Sequence, residues 1–290
     1  MLRREFIRRS VTGIGATWLT RKLSAAALSD QPPLQRKYQA HQDVVLGKTG
    51  IRTSLLAMGT GTMGSGGRSN QTHLGTDEFT TLLLNGYHEN GLRFFDAADS
   101  YGSHPYVAGA LKELPRDKVT VLTKTDNRDA AGVRADLDRF RKELGTDYLD
   151  IVLIHYVRVG DWTTQYRGVM DVLSEAKQKG IIRAHGVSCH TIEALRAAAA
   201  SPWVDIDLVR LNPIGSHMDA DPETVISVIK EMRAQGKGIV GMKILGQGDM
   251  RDKPSEAIRY ALGTGVLDAF TIGAESKSEQ NDLTRRIAAA

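Results

Sequence analysis

Short runs rich in Val, Ile and Leu recur along this chain at intervals of roughly 30 residues, and helical patterns lie between them. The runs fall at 55–60, 92–99, 119–125, 150–157, 182–190, 208–214, 238–245 and 267–274. Runs that are apolar throughout, without polar alternation, are those of strands buried on both faces, which is the situation of parallel strands joined by helices. The intervening segments include "DEFTTLLLNGYHENG", "AAGVRADLDRFRKELG" and "DPETVISVIKEMRAQG", and each of these ends in glycine, a common helix stop. Eight strands alternating with eight helices in about 250 residues suits a closed (β/α)8 TIM barrel; an open doubly wound sheet is the competing layout. No composition break marks a second domain.

Ahead of the repeat, "DVVLGKTGIRTS" has two short apolar pieces around a glycine-containing turn and predicts an N-terminal β-hairpin. The expected organisation is a leader over 1–30, a linker over 31–42 and one barrel domain over 43–290. The leader accounts for the basic charge. The net charge is +4, yet residues 1–30 hold six basic and two acidic residues, leaving 32 of each sign in the remainder. A neutral body without a basic stripe excludes nucleic acid as the natural partner. "RREFIRRS" resembles a twin-arginine export signal, with Arg3 and Arg4 as the pair, and "SAAALS" supplies small residues suited to cleavage. The stretch "SVTGIGATWLT" is too short and polar to span a membrane. The single cysteine, Cys189, excludes an internal disulfide and agrees with folding before export. The resemblance implies transport by the twin-arginine machinery to the periplasm. A basic surface-anchoring tail is the other reading.

"GTGTMG", Gly59–Gly64, matches a dinucleotide fingerprint, but that motif must open a helix directly. The next residues, "SGGRSNQTHLGTD", have no apolar periodicity. The glycines are therefore expected in a loop that lets backbone approach a ligand closely.

In a barrel the carboxyl ends of the strands converge on one site. Three successive runs end in polar groups that are costly to bury alone: Asp96, with Tyr101 five residues on, then Lys124, then His155. Singly these read as a helix cap, a surface amine and a core histidine; together they read as a site. A phenol has a reference pKa of ~10, and a buried ammonium beside it would favour the phenolate. Lys124 is expected to depress Tyr101, Asp96 to hold Lys124, and His155 to donate to or orient an oxygen beside the phenol. Such a group can protonate a carbonyl oxygen. Paired histidines and carboxylates that would ligate a metal are absent from the strand ends, so no metal is expected.

"FFDAADSYG", "LTKT" and "LIHY" resemble the Asp, Tyr, Lys and His tetrad of the aldo-keto reductases, in family order. "LGKTGIRTSLLAMGTGTMG", "GIIRAHGVSCH" and "IGAESKSEQNDL" resemble that family's first strand, fifth-strand region and final cofactor segment. The resemblance implies a reductase that uses NADP(H), or alternatively NAD(H), on an aldehyde or ketone, sugar-derived compounds included, as a monomer or small homo-oligomer. It points to Gly59, Thr60, Gly61, Thr62, Ser188, Cys189, Met242, Lys243, Gly273, Ser276, Lys277 and Gln280 as cofactor contacts. The chain departs from the family where Cys189 replaces the usual Asn and where Met242 and Lys243 replace a stacking aromatic, so Lys243 is left to either cofactor or substrate. His190 and His217 are candidates for substrate contact. A Schiff-base lyase using Lys124 and a non-catalytic dinucleotide-binding sensor are the alternatives.

Overall fold

The computed structural model describes residues 37–290. The expected leader and the first half of the linker lie outside the described residues. The compact unit begins at Lys37, earlier than the expected boundary at 43. Ala40 is buried and its carbonyl accepts from the Leu56 amide at 2.9 Å, while the Tyr38 hydroxyl donates to the Leu262 carbonyl at 3.3 Å.

Strands β1 (Asp43–Val45) and β2 (Arg52–Ser54) form the expected antiparallel hairpin. Eight parallel strands then close a barrel: β3 (Leu56–Gly59), β4 (Phe94–Asp96), β5 (Thr120–Thr125), β6 (Leu149–Val157), β7 (Ile182–Cys189), β8 (Ile206–Arg210), β9 (Gly238–Met242) and β10 (Ala269–Gly273), with β10 paired back to β3. The first helix, α1 (Thr76–Asn90), connects β3 to β4 as the periodicity predicts, followed by α2 (His104–Leu111) and α3 (Ala130–Leu144). The short α4 (Trp162–Gln165) precedes α5 (Arg167–Gln178), and α6 (Ile192–Ala200), α7 (Pro222–Ala234), α8 (Pro254–Gly263) and α9 (Lys277–Ala288) complete the ring. Side-chain caps start several of these: the Asp129 carboxylate accepts from the Gly132 amide at 2.8 Å to begin α3, and Asp221 accepts from the Thr224 amide at 2.9 Å to begin α7. No helix among the described residues is long and apolar enough to cross a membrane.

The barrel interior is a separate apolar cluster, distinct from the larger shell between sheet and helices. It contains Ala57, Phe94, Leu122, Ile151, Leu153, Ala184, Leu208 and Val240, and also Leu46 and Ile51 from the hairpin turn. Those two side chains are fully buried, so the hairpin plugs the amino-terminal end of the barrel; each such side chain contributes about 2 kcal/mol on burial. Successive strand residues face opposite sides. Two residues beyond Phe94, Leu122, Leu153, Leu208 and Val240 come Asp96, Lys124, His155, Arg210 and Met242. The alternation that buries the apolar layer thus delivers these five inward at the open, carboxyl end.

Candidate active site

Lys124 is 0% exposed, and its ammonium donates to Asp96 Oδ1 at 2.6 Å and to the Ala97 carbonyl at 2.7 Å. The Tyr101 ring lies over it, 4.6 Å from Nζ to the ring centroid. The His155 ring meets Tyr101 edge-on at 5.6 Å and 83°. Asp96, Tyr101, Lys124 and His155 therefore come together at one end of three adjacent strands and the loop after β4.

The electrostatics differ from the expectation in one respect. Burial is the largest influence on Tyr101 and pushes its phenol up; Lys124 pulls it down but does not prevail, so the phenol stays above its ordinary value. The sequence pairs the two groups but does not reveal how thoroughly the phenol is desolvated. Burial likewise presses the Lys124 ammonium toward the neutral amine, but the Asp96 carboxylate and the Tyr101 phenol outweigh it and carry Lys124 above the usual lysine value. His155 is lowered by burial, against the opposing effect of Asp126, and is neutral near pH 7. Its Nδ1 lies 2.9 Å from Asp126 Oδ1. A carboxylate only accepts, so Nδ1 carries the hydrogen and Nε2 is left as an acceptor.

Gly61 and Gly64 of "GTGTMG" lie in the expected loop, and both meet a side chain that the sequence does not pair with them. The loop after β3 opens no helix directly; a 3₁₀ turn at 71–74 precedes α1. A Cβ at Gly61 or Gly64 would run into the Tyr101 ring. The Tyr101 ring packs on their backbone, so a side chain at either position would displace it.

A cleft of about 580 Å³ opens above this group, within the usual range for small-molecule sites. Tyr101 and His155 lie on one side, and Arg210, Met242 and Lys243 are among its other walls. Non-glycine residues with positive φ are costly. Among the described residues there are five, Met63, Tyr156, His217, Lys243 and Gln247, with φ between 53° and 57°, and all of them line this cleft. Tyr156 falls where the β6–β7 register shifts between Ile154 and Val157, a bulge that turns its side chain out to 50% exposure beside His155.

With this geometry in place, the sequence can be set beside known proteins. The profile of the Aldo/keto reductase family matches residues 57–265. The chain belongs to this family. It is 33% identical to the methylglyoxal reductase of Salmonella typhi over 121 residues, 40% of this chain and 45% of that protein. It is 29% identical to the NADH-specific methylglyoxal reductase of Escherichia coli K12 over 168 residues, 50% of this chain and 51% of that protein. The chain spans about half the length of these curated relatives. An aldo-keto reductase from Bacillus halodurans shares the fold, with a TM-score of 0.69 at 19% identity over 86% of this chain and 92% of that one.

Of the positions that the aldo-keto reductase resemblance marks for cofactor, Gly61, Met242 and Lys243 line the cleft. Others are engaged by the protein itself. Ser188 faces inward but is fully buried, and its hydroxyl accepts from the Tyr156 amide at 3.0 Å. Cys189, one residue on, faces the outer shell, where its thiol donates to Asp207 Oδ2 at 3.4 Å. The Thr60 hydroxyl sits 2.8 Å from both the Asp96 carbonyl and Ser103 Oγ. Gly59 pairs with Gly273, which is covered by Thr62 and Gln71. Ser276 caps α9, Lys277 pairs with Glu89 at 2.5 Å, and Gln280 is buried against α1, donating to the Leu82 carbonyl at 3.4 Å.

His190 and His217 both reach the cleft. His190 is held neutral, its pKa brought down to about 3 by burial and by Arg210. Asp126, Arg210 and Tyr156 escape the sequence reading. Arg210 could have been found by the criterion that exposes Lys124, a charge interrupting the apolar run "LVRLN"; Asp126 follows Lys124 by one strand period. Outside the cleft, Asp99, His104 and Glu143 approach one another closely. Arg139 donates to Asp99 at 2.7 Å and to Glu143 at 3.0 Å, and the two His104 nitrogens meet Glu143 and Thr123, each at 2.7 Å. An arginine thus supplies the positive charge at that cluster.

Proposed function

We propose that this chain reduces the carbonyl group of a small aldehyde or ketone to an alcohol, with Tyr101 as proton donor. One observation carries the reading: a fully buried ammonium, fixed by Asp96, lies under the Tyr101 ring at the floor of the strained cleft. A nicotinamide dinucleotide, when bound, supplies the hydride for the carbonyl carbon. The cleft suits it: Met242 and Gly61 would hold the nicotinamide beside Tyr101, whereas Ser188 and Cys189 are engaged elsewhere. The phenol gives its proton to the carbonyl oxygen, and the phenolate left behind faces the Lys124 ammonium. Asp96 keeps that ammonium charged and in place. Neutral His155, oriented by Asp126, offers Nε2 as acceptor for the hydroxyl that forms. The raised pKa of Lys124 opposes the Schiff-base alternative, which needs a free amine.

NADP(H) and NAD(H) are both compatible with this reading. The segment at the start of α9 favours NAD(H) more than the sequence suggests, because Lys277 is already paired and Glu275 and Glu279 stand beside it. The 2-oxoaldehyde methylglyoxal, which names two of the relatives, is the first substrate to try. We further propose export of the folded protein through the twin-arginine machinery to the periplasm, resting on Arg3 and Arg4; changing both to Lys should leave the protein in the cytoplasm of a bacterial host. Equilibrium dialysis with NADH and NADPH, followed by a screen of aldehydes, ketones and sugars for dinucleotide consumption, tests the activity. Binding of neither dinucleotide would overturn it.

A further inference from the structure

The cleft is cationic. Its lining holds Arg128, Arg210 and Lys243 against one carboxylate, Asp126, which is itself engaged by His155. These cations differ in how they are satisfied. Arg128 donates to the carbonyls of Asp126 at 3.0 Å, Asn127 at 3.3 Å and His155 at 2.5 Å. Arg210 is paired with Asp219. The Lys243 ammonium has no partner among the described residues; burial, then Arg210, then Lys124 all press its pKa downward, with Asp96 as the opposing influence. A cation so placed gains from an arriving anion, and a cleft of one sign focuses its field on the ligand.

Lys243 also sits on left-handed backbone, φ 57°, with Gln247 at 57° and His217 at 53° in the same wall. Glycine would adopt these angles without strain. The wall keeps polar side chains there instead: His217 and Gln247 are exposed, while Lys243 is half-buried. Arg210 belongs to the same inward layer as Lys124 and His155, level with the groups that would receive a carbonyl. At the rim, Met63 and Tyr156 are 60% and 50% exposed, an apolar border around a charged interior.

We propose that Lys243, supported by Arg210, forms an anion subsite for the substrate, so that the preferred carbonyl compound carries a carboxylate or phosphate beside the carbonyl and an apolar body. This assignment rests on the reductase reading but is tested without turnover. The probe is oxamate, an unreducible analogue of a 2-oxo acid, compared with its neutral methyl ester by calorimetric titration of the full chain, with and without saturating NADH or NADPH. Oxamate is expected to bind at least about tenfold more tightly, the gain of one charge-assisted hydrogen bond. Lys243→Met should reduce the preference to within about threefold, and Lys243→Arg should retain most of it. The wild-type ratio stands as a test even if a variant fails to fold. A ratio near one in the wild type would overturn the proposal. So would oxamate that competes with dinucleotide, or a Lys243→Met variant that loses dinucleotide affinity while keeping the oxamate preference, since either assigns the cation to the cofactor's diphosphate. Tyr101→Phe should keep the preference for oxamate, so failure of the reductase reading would appear separately, as absent turnover.

Discussion

The two ends of the barrel solve the same geometric problem in opposite ways. At the amino-terminal end, left-handed backbone falls on glycine throughout: Gly47 and Gly50 in the hairpin, and Gly91, Gly145, Gly180, Gly236 and Gly265 between helices and strands. Charges there are matched. Asp150 meets Arg116 at 2.8 Å and Arg183 at 2.7 Å, Asp268 meets Arg233 at 2.6 Å, and the Lys237 ammonium donates to the carbonyls of Ala198, Ala199 and Ser201 at 2.6 to 2.8 Å. At the carboxyl-terminal end, five non-glycine residues carry positive φ and one ammonium lacks a partner among the described residues. One end minimises strain and leaves little unsatisfied; the other retains both at the cleft, where they can act on a ligand.

The largest expected effect lies at the strained end. Tyr101→Phe should cut carbonyl reduction by about 10²- to 10⁴-fold while leaving dinucleotide affinity nearly unchanged, because the phenol contributes as an acid in the transition state. Steady-state rates and equilibrium dialysis on the same preparation check both halves. Near-full turnover would remove Tyr101 from the chemistry.

Lys124→Met should lose activity and also about 3 to 5 kcal/mol of stability, since it leaves the Asp96 carboxylate buried without its partner. Denaturant unfolding of Lys124→Met beside the double variant Asp96→Asn/Lys124→Met sharpens this. The double variant should recover part of the stability and none of the rate.

A third prediction concerns the shell behind the cleft. Asp207 is fully buried, one carboxylate oxygen has no partner, and its pKa is pushed up to about 8, chiefly by burial. Folded protein holds that proton more tightly than the unfolded chain does. Its contribution to stability is complete below the usual carboxylate pKa and is lost as pH rises through about 8. Asp207→Asn should therefore raise the melting temperature more at pH 9 than at pH 5. Equal shifts at both values would contradict the buried neutral acid.

The smallest effects compare the two ends directly. Gly47→Ala should destabilise by about 1 to 3 kcal/mol, because φ is 52° and a Cβ would overlap the backbone around Gly236. Gln247→Gly should change stability by less than about 1 kcal/mol, as relief of strain offsets the added freedom of the unfolded chain. If both behaved alike, the contrast between the ends would be one of sequence and not of energy.

Most of the barrel was legible because burial on both faces leaves an unbroken apolar run, and all eight runs became strands within a few residues. The run expected at 92–99 is a strand only from Phe94 to Asp96; the chain leaves the sheet at Ala97, whose carbonyl turns to Lys124. Asp96, Lys124 and His155 could be read because each breaks such a run. Tyr101 could be read only by its company. Asp126, Arg210 and Tyr156 were missed, and for Tyr156 the reason is physical: its placement depends on a bulge set by cross-strand register, which no local pattern encodes. The engagement of Ser188 by the Tyr156 amide and the direction of the Tyr101 shift were hidden likewise, since both depend on neighbours distant in sequence.

The hairpin that seals one end of the barrel also governs traffic. With Leu46 and Ile51 closing the interior, the barrel offers no passage from its amino-terminal end to the cleft. A ligand of the cleft therefore has the carboxyl face as its way in and its way out, and nothing reaches the site along the barrel axis from behind.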